Sequence, residues 1–265
     1  MAAATRSATE TDGSIAQAAL VSSLLQLADD HLILGHRLSE WCGHAPMLEE
    51  DLSLPNMALD LIGQARHLYA YAAEKEGLNR TEDDLAYLRL DRQYRNCLLV
   101  ERPNNDFAHT MLRQLYFAAF MQPFWREAAN STDENMAAIA GKAVKEISYH
   151  IRHSGEWVVR LGDGTDESAA RMQEAVASLH CYTDELFSCD DDRRACIEAG
   201  VIPDSEALRA DWDATINAVF AKATIDLPEV PFYQYGGREG RHTEDFGFLL
   251  AELQYMQRAY PGAQW

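Results

Sequence analysis

The sequence has few basic residues and no long hydrophobic run. There are 23 Lys and Arg against 42 Asp and Glu, a formal net charge of -19. Because neutralising nucleic-acid phosphates takes clustered Lys and Arg, this balance argues against a nucleic-acid partner and a phosphate-rich cofactor. No apolar stretch approaches the roughly 18 residues of a membrane span, and the opening MAAATRSATETDGS has no signal core. We expect a cytoplasmic protein without a membrane partner. Its charge suits either a basic partner protein or a solvated acidic surface.

The sequence also lacks a cysteine framework and the common catalytic motifs. Its five cysteines are an odd number at irregular spacings, which predicts reduced, mostly buried thiols. There is no G-x-S-x-G elbow, no phosphate-binding loop and no G-x-G-x-x-G fingerprint. The run GGREG at 236–240 follows no predicted strand, and we interpret it as an irregular connection.

What the sequence does contain is helical periodicity. Apolar residues recur at three- and four-residue steps almost throughout, and strand alternation is nowhere sustained. The pattern predicts long helices over 14–41, 56–76, 107–129 and 136–161, a short one within 81–91, and further helices over 166–187, 203–223 and 246–258. It therefore predicts one all-α domain over residues 14–265, a four-helix bundle with additional C-terminal helices, after a disordered tail at 1–13.

Two of these helices lack expected metal ligands. Di-iron four-helix bundles carry a Glu-x-x-His motif on each of two helices, because residues three apart share a helix face. Here the corresponding positions read Leu61-x-x-Gln64 and Ile147-x-x-His150. Leu and Ile cannot bind a metal, Gln is a weak neutral ligand, and one His cannot hold iron alone. We interpret these as four vestigial ligand positions, and we expect no catalytic, cofactor-binding or metal-binding residue in this chain. His150 is predicted to be a core histidine satisfied by a hydrogen bond.

Another ligand set has metal-like spacing. His150, His153 and Glu156 follow each other at three-residue steps on one helix. Because three residues turn about 300°, successive steps drift away from the inward direction, and we expect Glu156 near solvent.

Four carboxylates lie next to inward positions without occupying them. Asp60 and Glu146 each come directly before a vestigial ligand position. Because one residue along a helix turns the side chain by about 100°, these two side chains lie off the inward direction. Asp29 and Asp30 precede His31 on the first helix. Buried ion pairs or surface charges explain these four better than ligation does.

Several segments together resemble a known family. They are LSEWCGHAP at 38–46, LDLIGQAR at 59–66, LGDGT at 161–165, GGREGRHTE at 236–244 and YPGAQW at 260–265. In this order they are similar to the C subunits of bacterial phenylacetyl-CoA epoxidases, the PaaC family. The match runs from about residue 29 to the C-terminus.

The resemblance implies a ferritin-like fold and a non-catalytic structural role. C subunits of this family pair with a homologous catalytic A subunit, which holds two irons through Glu-x-x-His pairs. The complex is an oxygen- and NADPH-dependent monooxygenase, with a reductase subunit supplying electrons, and it forms the 1,2-epoxide of phenylacetyl-CoA in aerobic phenylacetate catabolism. The resemblance therefore implies no cofactor in this chain and a di-iron centre in its partner. The single carboxylates of the first and third helices would fall near His31–Ile33 and Ala118–Ala119.

Two other functions fit a bundle of this kind. An autonomous di-iron or di-manganese oxygenase would need unconventional ligands. Ferritin-like iron storage would need many acidic residues inside the bundle, which the aliphatic replacements oppose. Metal content of the purified chain separates both from a structural subunit.

Overall fold

A computed structural model describes residues 8–263, with side chains from Gln17 onward. In this part of the chain all regular secondary structure is helical, as the periodicity predicts. The ten α-helices are α1 (Ala8–Ser39), α2 (Leu48–Glu76), α3 (Glu82–Tyr87), α4 (Leu98–Glu101), α5 (Phe107–Ala128), α6 (Glu134–Gly162), α7 (Asp166–Leu179), α8 (Asp191–Glu198), α9 (Arg209–Ala223) and α10 (Glu244–Ala259).

Four long helices, α1, α2, α5 and α6, form the central bundle. Helix α1 packs along α2, α5 packs along α6, and α2 also meets α6. Helices α1 and α5 meet through the rings of His31 and Phe117, with centroids 5.2 Å apart. Trp41, two residues after the end of α1, donates a 3.0 Å hydrogen bond from Nε1 to Thr110 Oγ1 on α5. Helices α7 and α9 cover α5 and α6, and α8 covers α1. This is the ferritin-like bundle with additional C-terminal helices that was predicted.

Side-chain caps set the starts of the later bundle helices. Asp106 accepts a hydrogen bond from the His109 amide at 2.9 Å, and Asp133 accepts one from the Met136 amide at 2.8 Å. Thr165 caps α7 in the same way. Such caps satisfy amides that the first helical turn leaves without a partner. They explain why the predicted starts of α5 and α7 agree with the structure.

The predicted start of α2 at residue 56 is wrong. The helix begins at Leu48 and runs through Pro55. Proline lacks the amide hydrogen that a helix interior uses, so it predicts a break. The residues on either side of it, Leu54, Met57 and Ala58, are buried in the core. Their packing outweighs the single missing hydrogen bond.

Other helices also differ from the prediction. Helix α7 ends at Leu179 and is followed by two 3₁₀ turns, rather than continuing to residue 187. Helix α9 begins at Arg209 rather than at 203, and the short helices α4 and α8 were not predicted. Helix α8 buries only Arg193 and Cys196, so its sequence shows no apolar stripe.

The N-terminal tail at 1–13 stays a prediction. Residues 1–7 lie outside the described part of the chain, and α1 is described from Ala8. The end of α1 at Ser39 lies two residues before the predicted one.

The close packing of α1 on α2 depends on Gly35. A Cβ there would lie 2.9 Å from Ile62 Cγ1 and 3.2 Å from the Ala58 carbonyl oxygen. Any larger residue would push the two helices apart, which would loosen the core between them.

Candidate functional site

The four vestigial ligand positions all lie inside the bundle. Leu61 of α2 and Ile147 of α6 are completely buried in the hydrophobic core. Gln64 and His150, one turn further along the same helices, are also buried. The inward direction expected from three-residue spacing is therefore correct, and two of the four positions carry only hydrocarbon.

Both ring nitrogens of His150 have hydrogen-bond partners. The Gln114 amide nitrogen lies 3.1 Å from Nδ1, and Asp60 Oδ2 lies 3.2 Å from Nε2. With the amide donating to Nδ1, the ring donates its Nε2 hydrogen to Asp60. The prediction that a hydrogen bond satisfies His150 is confirmed. Gln114 itself was missed, because one amide on an apolar helix gives no sequence signal.

A matching contact joins Gln64 to Glu146. The Gln64 amide donates to Glu146 Oε2 at 2.8 Å, and Lys142 Nζ lies 3.5 Å from the other carboxylate oxygen. Each motif residue is thus held by a carboxylate from the opposite helix. Helix α2 supplies Asp60 to His150, and α6 supplies Glu146 to Gln64.

Asp60 and Glu146 lie off the inward direction, as the step of one residue predicts, and both side chains keep some exposure. A rotation of about 100° places them at the α2–α6 boundary, not at the outer surface. The two helices are antiparallel, so the residue just before one motif position faces the motif position of the other helix. Their side chains are long enough to reach it.

His150, His153 and Glu156 on α6, the other set with metal-like spacing, do not point at a common site. His153 Nε2 lies 2.8 Å from Glu50 Oε2 on α2, and burial lowers the pKa of His153. Glu156 is exposed, as the helical drift predicted. His150 and His153 therefore contact different carboxylates, and Glu156 contributes to neither site.

The residues present do not fit a di-iron centre. Among the described side chains, no three His, Cys, Asp or Glu residues come together as metal ligands would. Leu61 and Ile147 take the places where a di-iron bundle needs carboxylates. Asp60 and Glu146 are already engaged by His150 and Gln64.

On α1 and α5, the positions where the family resemblance would place single carboxylates hold uncharged residues. His31 is fully buried, and its Nδ1 lies 2.6 Å from the Leu27 carbonyl oxygen. Burial lowers its pKa to about 4, so the ring is neutral at physiological pH. Ala118 and Ala119 on α5 are buried and apolar.

A second polar region lies on the other side of α1. Asp29 forms an ion pair with Arg89 and accepts a hydrogen bond from the Tyr69 hydroxyl at 2.5 Å. Asp30 forms an ion pair with Arg238, with Oδ2 2.8 Å from Nη2. All five residues are buried or nearly so. Of the two alternatives predicted for Asp29 and Asp30, buried ion pairs or surface charges, the structure shows buried ion pairs.

Arg238 comes from the GGREG connection. Burial by itself would lower the pKa of its guanidinium, but Asp30 raises that pKa above its usual value. A Cβ on Gly237 would overlap the Asn96 carbonyl oxygen, so only glycine lets the loop lie this close to the chain. Glu185 Oε1 accepts from the Gly236 and Arg238 amides at 2.8 and 3.2 Å. The irregular connection is confirmed, and it fastens the C-terminal segment to α1.

Fold and site together define a ferritin-like bundle in which the described side chains form no di-iron ligand set. A family model described as "Phenylacetic acid catabolic protein" matches residues 1–265, and the chain belongs to that family. It is also 47% identical over 246 residues to the C subunit of 1,2-phenylacetyl-CoA epoxidase from Escherichia coli (strain K12), covering 93% of this chain and 99% of that protein. The resemblance found in the sequence motifs is confirmed. No helix within residues 8–263 is long and apolar enough to cross a membrane.

Proposed function

We propose that this chain is the structural, non-catalytic subunit of a phenylacetyl-CoA 1,2-epoxidase complex. It pairs with a homologous catalytic A subunit and supports that subunit's di-iron centre in aerobic phenylacetate catabolism. A reductase subunit passes electrons from NADPH to the di-iron centre, where oxygen is consumed. The complex works in the cytoplasm, and this chain carries no cofactor.

The state of the four vestigial positions supports this proposal most directly. Two of them are aliphatic and fully buried, and the other two are tied to carboxylates across the α2–α6 boundary. Gln64 and His150 therefore make their contacts with side chains of this chain. The identity to a C subunit, over nearly the full length of both proteins, agrees with it.

A bundle without chemistry of its own can still matter for catalysis. Its core is densely filled, so its outer helices offer a rigid surface. A homologous subunit packed on that surface would have its own helices fixed, and with them the geometry of its iron ligands. Obligate interfaces of this kind bury more than about 2,000 Å².

Co-expression with an A-type subunit tests the proposal. We expect the two chains to copurify, to stay together at high salt, and to contain iron only in the A-type chain. Salt screens surface charges but leaves apolar contacts intact, so persistence at high salt reports an obligate interface. Epoxidation of phenylacetyl-CoA, with reductase and NADPH supplied, should require both chains.

Three results would reject the proposal. They are full activity from the A-type subunit alone, a pair that separates at moderate salt, and about two irons bound per copy of the present chain, the content of a di-iron bundle.

A further inference from the structure

A cavity of about 510 Å³ lies between the N-terminal half of α1, the C-terminal end of α2 and the segment that precedes α4. Its volume falls in the range of pockets that hold small organic molecules. None of the four vestigial ligand positions is among the residues that line it. The cavity is therefore separate from the centre of the bundle, and its chemistry has to be judged from its own lining.

Several cations line this cavity, although the chain has a net charge of -19. Carboxylates nearly balance them, so the cavity as a whole is not strongly basic. What distinguishes it is one cation, Arg95, which has no carboxylate partner among the described side chains. The other three lining cations each have one, Lys75 with Glu74, Arg80 with Glu76 and Arg89 with Asp29.

The Arg95 side chain is held in place by backbone groups. Its Nη1 donates to the carbonyl oxygens of Arg92 and Tyr94 at 2.7 and 2.9 Å. Its own amide donates to Asp29 Oδ2 at 2.7 Å, and its carbonyl oxygen accepts from Arg238 Nη1 at 2.9 Å. The carbonyls orient the guanidinium, and within the described part of the chain its Nε and Nη2 hydrogens have no acceptor. A guanidinium oriented in advance binds a carboxylate at a lower entropic cost.

The wall that α1 contributes suits the apolar part of a ligand. Val21 and Leu25, one turn apart on α1, both line the cavity and are half-exposed. Ser22 and Gln93 also line it and add side-chain hydrogen-bond donors. One cation without a carboxylate partner indicates a ligand with one negative charge, and the wall on α1 indicates an apolar body.

We propose that this cavity binds a small amphipathic carboxylate, with the carboxylate on the Arg95 guanidinium and the apolar body against Val21 and Leu25. An arylacetate or a short-chain fatty acid has this chemistry. A phosphate monoester would bring a second negative charge, which the carboxylates of Glu74 and Glu76 oppose. The site is formed by this chain alone, so the inference goes beyond the proposed function and stands or falls without it.

Calorimetric titration of the full chain tests the proposal. Phenylacetate and octanoate are the probes, and phenylacetamide is the control because it has nearly the shape of phenylacetate without its charge. We expect one phenylacetate to bind per chain, and phenylacetamide to bind at least about tenfold more weakly, because a carboxylate makes charge-assisted hydrogen bonds that an amide cannot. Phenyl phosphate should also bind more weakly than phenylacetate.

Three results of the titration would overturn the proposal. They are the absence of saturable binding of both carboxylate probes, equal affinities for phenylacetate and phenylacetamide, and tighter binding of phenyl phosphate than of phenylacetate. The last result would show that the cavity prefers a dianion.

Replacing Arg95 tests the placement of the carboxylate. Arg95→Gln removes the charge and keeps a side chain that can hydrogen-bond, so the affinity for phenylacetate should fall at least about tenfold, to that for phenylacetamide. The affinity for phenylacetamide should change by less than about twofold. Arg171→Gln, which removes an exposed cation of α7, is the matched control and should bind both compounds as wild type does. Undiminished binding of phenylacetate by Arg95→Gln would contradict the assignment.

Filling the cavity gives a second test that does not depend on charge. Ser22→Trp places a large side chain in the cavity from a half-exposed position, so it should abolish binding of phenylacetate while the protein melts close to wild type. Ala138→Trp, on an exposed position of α6, is the control and should bind normally. Normal binding by Ser22→Trp would place the ligand elsewhere on the chain and would refute the proposed site.

Discussion

The molecule has two polar regions inside it, and they are built differently. At the α2–α6 boundary, His150 and Gln64 contact carboxylates that retain some exposure, with the Asp60 side chain 37% and the Glu146 side chain 19% exposed. On the other side of α1, the carboxylates of Asp29 and Asp30 are 0% and 1% exposed, and each has an arginine partner.

The difference shows where this bundle tolerates buried charge. A carboxylate removed from water needs a cation or several hydrogen bonds, or it takes up a proton. Arginines from outside the four-helix core supply those cations beside Asp29 and Asp30. The vestigial positions have no such supply, and their residues are aliphatic or neutral. Stability should therefore depend strongly on the region around Asp29 and Asp30 and weakly on the α2–α6 boundary.

Removing Arg238 should have the largest effect. Arg238→Met leaves Asp30 buried without its cation, and breaking one side of a buried pair typically costs about 3–5 kcal/mol. Chemical denaturation should show this loss in the free energy of unfolding. Arg241→Met, which breaks an exposed pair with Glu239, is the matched control and should change stability by less than about 1 kcal/mol. Equal effects of the two variants would contradict the comparison.

Placing a charge at a vestigial position should come next. Ile147→Glu puts a carboxyl group into a fully buried apolar site and should lower stability by about 3–4 kcal/mol. Burial raises the pKa of such a group, so the loss should be smallest below about pH 4 and grow as pH rises through the shifted pKa.

Added ferrous ion should not restore the melting temperature of Ile147→Glu. The position still lacks the other ligands of a di-iron site. A metal-dependent rise in melting temperature would show that a latent site survives at the vestigial positions, contrary to the comparison.

His31 lies between the two regions and gives a test by pH. Burial lowers its pKa from 6.5 to about 4, so between these values the unfolded chain binds a proton that the folded chain does not. Stability should therefore fall as pH decreases from about 6.5 to 4, with about 3 kcal/mol of the fall due to His31. His31→Leu should remove that part of the pH dependence, while the exposed His44→Leu should not. Identical pH profiles for His31→Leu and wild type would refute this.

Replacing His150 should have the smallest effect. His150→Gln keeps a polar group that can hydrogen-bond at the same place, so the loss should be about 1–2 kcal/mol. Activity of the complete complex should remain close to that of wild type. A more than hundredfold fall in turnover, equivalent to about 2.7 kcal/mol of barrier, with the complex still assembled, would give His150 a role beyond structure.

The sequence predicted the bundle because the signals concerned were local. Apolar spacing located the long helices, and residues such as Asp106 and Thr165 located their starts, since a cap acts within three residues of itself. Pro55 misled for the same reason. Proline disfavours a helix interior locally, but the packing of its neighbours against α1 keeps the helix intact. That packing involves residues far away in the sequence, so a short stretch around Pro55 does not reveal it.

The candidate site was predicted in its positions but not in its contacts. Three-residue spacing correctly placed Leu61, Gln64, Ile147 and His150 inside. The cross-pairing of Asp60 with His150 depends on how two antiparallel helices are aligned, which periodicity does not determine. Gln114 and Arg238 were missed because their partners are 36 and 208 residues away.

The pairing of Asp30 with Arg238 also has a consequence for synthesis on the ribosome. The carboxylate emerges 208 residues before its guanidinium partner, a delay of roughly 10–40 s at about 5–20 residues per second. During that interval Asp30 lacks Arg238, and a carboxylate without its cation favours water over a buried site. We therefore expect the packing around Asp30 to be completed only after the GGREG segment has been made.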